Sequence, residues 1–592
     1  MSVKEYTPTG FALSIFQDRY AIHAEETFAQ ACERVARTMA DAEHGTKRDE
    51  YFTRFLDILK TNRFSPGGRI WRGAGRQRGQ MLNCFVWTDD LDSREGWGDA
   101  LRAVTIISGT GGGVGINFSK VRPRGTAIRG TGGEATGSVS LMRCINAVCN
   151  ELREGGGRRS ALMFCLKYDH PDLMEFLEAK LDKQELVNAN ISVLIDDTFL
   201  KLLDDGEDVV FKWQGDEMRR VPAQEIWDKI VQNALDSGDP GLLNLGLANN
   251  MNTISYRSDL VSTNPCGEIW MPPYDCCCLG AVNLHTHVVD GEIDWDMLEE
   301  TVATSVRFLD NVLDQNNYPM TIIKETCQKY RRIGLGVMGL HDMLLELGLK
   351  YSGKAAIEVV GKVMDFIKKQ AYHASIVLAV EKGSFHVFDV DQHLKTGFVK
   401  KCLPRRHHRL IKEHGLRNCA LLTIAPTGTI SIVAGCSSGI EPLFQPVYER
   451  RFNKHKDMHK EERDKAVEIV VHPLLKKFLQ DKRSIKHFQG AHEIQPEDHL
   501  AMQNICQKHI DNSISKTINL PKDYSKEKLS EQMKKYIREL KGITVYRDGS
   551  KGESPLVPLP LAEAKQHLDG MAEEAAVNDC PSGMCDIAKG GN

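Results

Sequence analysis

The 592-residue chain has almost no net charge: 76 Lys and Arg against 80 Asp and Glu leave −4 at neutral pH. Without a basic patch or polybasic tail, a nucleic-acid polymer or membrane surface is not indicated as partner, whereas a small anionic ligand is compatible. Long apolar runs are missing too. The N-terminal MSVKEYTPTGFALSIFQDRY holds no apolar core of signal-peptide length, and no later segment approaches a membrane span, so a soluble, cytoplasmic protein is expected. A complete phosphate loop is absent: SGTGGGVGIN, Ser108 to Asn117, lacks the Gly-Lys-Ser/Thr ending. Gly130-Thr131-Gly132-Gly133-Glu134-Ala135 fits the loose dinucleotide pattern, but VRPRGTAIR before it is no clean strand, which argues against nicotinamide or flavin.

Thiols, by contrast, are plentiful. Sixteen cysteines in a cytosolic chain speak against a disulfide framework and for core, ligand or redox roles. The densest chemistry lies in Val261 to Leu284, VSTNPCGEIWMPPYDCCCLGAVNL. Pro265 biases Ser262 to Asn264 away from helix, so the segment is expected to be extended, with Asn264, Cys266 and Glu268 on one face. That face would offer an amide to orient a ligand, a sulfur for covalent or radical chemistry, and a carboxylate for proton transfer. An inert buried Cys266 beside an exposed carboxylate is the bland alternative. The adjacent Cys276, Cys277 and Cys278 weigh against it.

Glu25 to Ala42 reads as a helix with Phe28, Cys32, Val35 and Met39 on one stripe, and Asp296 to Asp314 as another. Asn83 to Trp87 reads as a buried strand. Arg63 to Ile70 is a turn-rich loop whose Ser65 hydroxyl could meet a ligand. Glu154 to Ser160 and Lys180 to Glu185 read as charged loops. The apolar run Ala420 to Ile424 leads into Ala425-Pro426-Thr427-Gly428-Thr429-Ile430-Ser431, a strand, small-residue turn and helix start that suits phosphate oxygens or serves as a plain cap. After Pro560 the composition turns small, polar and acidic, a mobile tail carrying Cys580 and Cys585. Cysteines on such a tail bury nothing, which leaves thiol exchange or metal binding.

Together, N-P-C-G-E, the downstream cysteines, A-P-T-G-T-I-S and the tail pair resemble the large catalytic chain of ribonucleotide reductases, and among these the adenosylcobalamin-dependent class II enzymes. The resemblance runs from about Phe11 to the C-terminus and includes RFSPGGRIW, GGGVGINFSKVRPRG, NANISV, LDNVLDQNNYP, RRIGLGVMGL, DNSISKTINLP and GITVYRDGS. It implies a ten-stranded α/β barrel with a central finger loop, Val261 to Glu268. Residues 1–60 would be a helical region without an ATP-cone, 61–560 the barrel with effector-binding loops, and 561–592 a flexible redox tail.

The resemblance assigns Cys266 the thiyl radical that takes the ribose 3′ hydrogen, Glu268 the 3′ hydroxyl proton, and Asn264 the substrate hydroxyls. Cys84 and Cys277 match the pair that closes into a disulfide as the 2′ hydroxyl leaves. Cys278 stands where the family commonly has asparagine, which leaves open which adjacent thiol closes the bond. Ser65, Asn83, Gly113, Pro426, Thr427, Gly428, Thr429 and Ile430 would bind substrate, the last five cradling its diphosphate. Asp89, Arg122, Ile128 and Arg129 match a dNTP or ATP effector site at a homodimer interface, with the loop Lys180 to Asn188 relaying its signal. Cys580 and Cys585 would be recharged by a thioredoxin or glutaredoxin-like reductant.

The radical source separates the classes. The tail, CDIAKGGN, lacks the glycyl-radical setting, and only Tyr546 stands where a separate radical subunit would need two adjacent tyrosines. Adenosylcobalamin is therefore expected, and without an Asp-x-His-x-x-Gly motif its lower axial base need not be a protein histidine. The reaction is reduction of ribonucleotides, diphosphates in first place. The alternatives are a large chain needing a radical subunit, and a zinc-binding nucleotide sensor with Cys276, Cys278, His285 and His287 as ligands. The C-C-C run is poor spacing for zinc, and no metal site is assigned.

Overall fold

The N-terminal region forms helices over Gly10–Arg19, Phe28–Ala40 and Thr46–Lys60. The second begins later than its apolar period suggests because Thr27 caps it. The Gln30 amide donates to Thr27 Oγ1 at 3.2 Å, and the Thr27 amide to Gln30 Oε1 at 2.9 Å. Two N–H groups that a first turn leaves unpaired are thereby satisfied. Its buried stripe packs on the helix Trp295–Gln315, which Asp294 starts by accepting the Met297 amide at 2.9 Å. From that helix Arg307 reaches Glu43 at 2.8 Å and Glu381 at 2.7 Å, its guanidinium 3.8 Å from the centre of the Tyr51 ring. This buried charge is paired on several sides, so it ties the N-terminal helices to the rest without stranding an ion.

The computed structural model describes residues 4–88, 90–152, 161–182, 184–451, 467–548 and 556–559. Asp89, the segment Glu154 to Ser160, Lys183 of the relay loop, and the tail with Cys580 and Cys585 lie outside them. No described helix is long and apolar enough to cross a membrane.

Twelve strands frame the site: β1 Phe64–Pro66, β2 Cys84–Val86, β3 Gly113–Asn117, β4 Leu162–Lys167, β5 Ala189–Ile195, β6 Gly241–Asn244, β7 Ser262–Thr263, β8 Trp270–Met271, β9 Leu279–Asn283, β10 Gly334–Met338, β11 Thr517–Leu520 and β12 Gly542–Arg547. A seven-stranded sheet runs β11-β12-β6-β5-β4-β3-β2. From β2 to β6 neighbours are parallel, and β12 is antiparallel to β6. Strands such as β4, LMFCLK, are buried along almost their whole length, as parallel strands covered on both faces must be. A three-stranded sheet runs β1-β9-β10.

The expected α/β class is thus observed, as sheets of seven and three strands. Isolated bridges extend both: Phe85 pairs with Cys276 just before β9, Leu335 of β10 pairs with Leu422, and Ile424 pairs with Ile514 shortly before β11.

Candidate active site

β7 and β8 form a short hairpin, Thr263 opposite Trp270 and Ser262 opposite Met271. Alternation holds as far as Thr263 and then stops, which corrects the extended reading of Asn264 to Glu268. The Gly267 amide donates to the Asn264 carbonyl at 3.0 Å, closing a turn with Pro265 second and Gly267 at φ +80°. The Asn264 side chain competes with a continuing strand by accepting the Ile269 amide on Oδ1 at 3.1 Å. Asn264 and Glu268 are consequently buried, while Cys266 is exposed at the tip. The three residues are neighbours through a turn, not through a shared strand face.

Long-range contacts hold this hairpin. Asn190 Nδ2 donates to the Pro265 carbonyl at 2.9 Å, and Asn117 Nδ2 to that of Val261 at 2.8 Å. The Glu268 carbonyl accepts Thr423 Oγ1 at 2.6 Å and the Ser513 amide at 2.9 Å. None of these four residues was singled out from the sequence. The glycines of SGTGGGVGIN prove to serve close approach: a Cβ on Gly115 would lie 1.8 Å from the Thr263 carbonyl oxygen, and one on Gly113 2.7 Å from Pro265 Cγ. Gly115→Ala is expected to displace the hairpin and remove most turnover, read as steady-state kcat against Gly98→Ala. A Cβ on Gly98 meets nothing within 4 Å. Equal kcat in the two variants would refute the close-approach role.

Burial pushes the Glu268 carboxyl up to about 7, with the Asn264 amide acting in the opposite sense. Its Oε2, along with Asn264 Nδ2, Thr263 Oγ1 and Asn83 Oδ1, is buried without a hydrogen-bond partner among the described residues. Buried polar atoms are normally paired, so an unpaired set beside one thiol suits a hydroxyl-bearing ligand. A carboxyl titrating near neutrality can accept and return a proton.

The three consecutive cysteines divide between two environments. The Cys84 amide donates to Cys277 Sγ at 2.9 Å, and the Cys277 amide to the Cys84 carbonyl at 2.9 Å. Cys277 packs with Ile269, Met271 and Cys84, on the hairpin side. Cys276 and Cys278 face the helices instead: Cys276 Sγ lies 2.8 Å from Cys327 Sγ on the helix Thr321–Tyr330, and Cys278 donates to the Leu309 carbonyl at 3.4 Å. Of the three, Cys277 is the one that meets Cys84. Burial first, and the Cys84 side chain second, raise its thiol well above the ordinary range, so it is protonated at neutral pH and carries a hydrogen to give.

The remaining site residues fall into two groups. Ser65, buried on β1, accepts Trp71 Nε1 at 3.0 Å. The Asn83 carbonyl accepts the Gly113 amide at 3.0 Å, beside Cys84. Ala425 packs on the cluster containing Cys84 and Cys277, which brings the Pro426 to Ile430 turn to the same place. There Thr427 is left-handed at φ +52°, its Oγ1 accepts the Gly439 amide at 2.8 Å, and the helix Gly428–Ala434 follows. Ile128 and Arg129 lie on an exposed hairpin loop, six and seven residues after Arg122, in which the Ile128 amide donates to the Gly133 carbonyl at 2.9 Å. Arg122 is held by Asp92 at 3.0 Å. No helix follows the Gly130–Gly133 tip directly, which disposes of the dinucleotide pattern.

The zinc set is not assembled. His287 is engaged by Asn283 O at 2.8 Å and Thr301 Oγ1 at 2.9 Å, and His285 faces Glu346 at 3.5 Å. Among the described residues the metal-suited grouping is Asp275 with Cys276 and Cys327, which contains neither Cys278 nor a histidine. Asp275 is already paired with Arg332 at 2.7 Å.

Residues 82–546 match the family model described as ribonucleotide reductase, barrel domain, and residues 6–79 the one described as ribonucleotide reductase, all-alpha domain. The chain belongs to the ribonucleotide reductase family. It is 37% identical over 576 residues to the vitamin B12-dependent ribonucleoside-diphosphate reductase of Thermoplasma acidophilum, covering 92% of this chain and 72% of that one. It is 33% identical over 592 residues to the protein of the same name from Mycobacterium tuberculosis, covering 94% and 82%. Similarity to the ribonucleoside-diphosphate reductase subunit alpha of Chlamydia muridarum is weaker, 28% over 456 residues and 43% of that chain.

Proposed function

We propose that the protein reduces ribonucleoside diphosphates to 2′-deoxyribonucleotides by thiyl-radical chemistry with adenosylcobalamin as cofactor. The observation that carries the reading is an exposed Cys266 thiol flanked by buried Asn264 and Glu268, within a barrel domain whose relatives are named vitamin B12-dependent reductases. The exposed tip fits a cofactor that must meet a thiol from outside the hairpin. When bound, adenosylcobalamin supplies a carbon-centred radical able to take a hydrogen atom.

The chain's own residues do the rest. The Cys266 thiyl takes the ribose 3′ hydrogen, Glu268 accepts the 3′ hydroxyl proton, and Asn264 orients the hydroxyls. Loss of the 2′ hydroxyl as water consumes a proton, and the Cys84–Cys277 dithiol supplies two electrons by closing into a disulfide. The 3′ hydrogen then returns from Cys266, which restores the thiyl. Ser65, Asn83, Gly113 and the Pro426–Ile430 turn bind the substrate, the turn taking its diphosphate. An effector nucleotide binds at Asp89, Arg122, Ile128 and Arg129 across a homodimer interface. The bridges through Cys276, Leu422 and Ile424 support one ten-stranded barrel around a finger loop, its staves being β2 to β6, β9 to β12 and, between β10 and β11, Ala420–Ile424, with β1 outside the count.

Anaerobic turnover of CDP with adenosylcobalamin and dithiothreitol tests the reading, run alone and with a radical-generating subunit. Product without the second protein is expected; product only in its presence overturns the cofactor.

The tail cysteines serve this cycle by reducing the Cys84–Cys277 disulfide. About 25 residues of extended chain span roughly 80 Å, enough to carry Cys585 from the surface into a barrel. Replacing Cys580 and Cys585 by Ser is expected to stop repeated turnover driven by thioredoxin, while sparing a single turnover of pre-reduced enzyme and much of that driven by dithiothreitol. Normal rates with thioredoxin would exclude the shuttle; failure in single turnover would make the cysteines structural.

A further inference from the structure

Cys276 and Cys327 have no role in the proposed reaction, yet their sulfurs lie 2.8 Å apart. Each residue is 1% exposed, and they come from different elements: Cys276 from the segment before β9, Cys327 from the helix Thr321–Tyr330. Both are held by their surroundings. The Cys276 amide donates to Asp275 Oδ1 at 2.9 Å, Asp275 Oδ2 accepts Arg332 Nε at 2.7 Å, and the Cys276 backbone bridges to Phe85, next to Cys84. The Cys327 carbonyl accepts the Arg331 amide at 2.7 Å, and the Arg331 side chain is paired with Asp310 and Asp314, each at 2.8 Å. The two sulfurs therefore face each other from anchored pieces of backbone.

Two buried sulfurs can share a metal ion or join in a bond. A metal fits poorly. Zinc holds thiolate sulfurs at about 2.3 Å, which in a tetrahedron sets a pair roughly 3.8 Å apart. The further donor grouped with them is the Asp275 carboxylate, whose oxygens already serve Arg332 and the Cys276 amide, and no fourth His, Cys, Asp or Glu joins the group among the described residues. A disulfide needs only the two sulfurs, about 2.0 Å apart.

We propose that Cys276 and Cys327 are a second redox pair, closed into a disulfide by hydrogen peroxide and reopened by a dithiol, separate from Cys84 and Cys277. One thiol attacks the peroxide, breaking its O–O bond, and becomes a sulfenic acid as one water leaves. The other sulfur then displaces the hydroxyl, which leaves as a second water while the S–S bond forms. Two electrons pass from the sulfurs to the peroxide. Burial raises both thiols above their ordinary range, so the reaction is slow and requires an oxidant small enough to enter. Cys277 is the residue after Cys276, so the closed bond ties the strand that presents the reductant to a helix behind it. An oxidised chain then keeps Cys277 placed opposite Cys84.

The test exposes the folded, full-length protein to hydrogen peroxide, alkylates the remaining thiols in denaturant and maps a tryptic digest by mass. Trypsin leaves Cys327 on residues 325–329 and Cys276 on residues 258–307. These two peptides are expected to be joined, with or without the Cys84 peptide attached, and to separate in dithiothreitol. The link is expected to vanish in Cys276→Ser and in Cys327→Ser, and to survive in Cys278→Ser. The half-cystines are 51 positions apart. A bond closing a loop of that length should raise the melting temperature of peroxide-treated wild type above that of Cys327→Ser treated alike by about 3 °C. Absence of the joined peptides, or a link that persists in Cys276→Ser, overturns the proposal. So does a zinc ion retained by the untreated protein in native mass spectrometry and lost in Cys327→Ser, which assigns a metal site instead. None of these measurements depends on CDP turnover, so a failure here leaves the proposed activity standing.

Discussion

Cys266→Ser is expected to yield no deoxynucleotide with any reductant, thioredoxin and dithiothreitol alike, and not even a single turnover from pre-reduced enzyme. The reason is bond strength. A serine O–H bond is much stronger than a thiol S–H bond, so hydrogen transfer that is nearly balanced at sulfur becomes steeply uphill at oxygen. The fold gives no reason for the variant to misfold: the turn is closed by the Gly267 amide, the Asn264 carbonyl and the Asn264 side chain, and Cys266 stands exposed beyond them. An unchanged melting temperature with zero product is therefore the expected pair of readings. Appreciable product from the purified variant under anaerobic assay would take Cys266 out of the chemistry.

Glu268→Gln is expected to have the second largest effect, a loss of about 10²- to 10⁴-fold in kcat with KM little changed, the range for a lost acid–base group. An amide matches the carboxyl in shape but accepts no proton at neutral pH. Because burial raises the group to about 7, wild-type kcat/KM should climb through that pH as the base ionises, and the variant should lose this limb. Stability moves the other way. Below the ordinary carboxylate range the folded and unfolded chains are both protonated; between there and about 7 only the unfolded chain ionises, so stability falls as pH rises. The full effect is about 3 kcal/mol above that window. Gln removes the penalty, and melting temperatures at pH 5 and pH 8 should show the variant gaining on wild type at the higher pH. Near-normal turnover, or a pH limb that survives the substitution, would assign proton transfer elsewhere.

Local chemistry was readable where it depended on neighbours in the chain. Asn264, Cys266 and Glu268 could be picked out because one proline-led segment carries an amide, a thiol and a carboxylate. Their geometry was not readable, since strand alternation ignores an asparagine side chain able to capture the Ile269 amide and force a turn. The helix Trp295–Gln315 followed from its apolar period, and its Asp294 cap lies one residue before it. Asn190, Asn117 and Thr423 escaped notice for another reason. They meet the hairpin across 75, 144 and 155 residues, and only sheet topology brings such positions together. The glycines of Gly113 to Gly115 looked like a ligand loop because a sequence does not say whether a missing side chain makes room for a phosphate or for another stretch of backbone.

The run Cys276-Cys277-Cys278 also bears on fault tolerance. The segment before β9 is one layer thick, with Cys277 turned toward Cys84 and its neighbours toward the helices. In an extended chain, a slip of one residue exchanges the two sides completely. Here that slip would replace Cys277 by Cys276 or Cys278, so a sulfur would still stand opposite Cys84. With asparagine in place of Cys278, a slip in one of the two directions would instead bring an amide opposite Cys84. The triplet thus encodes the inward thiol redundantly against an error of pairing.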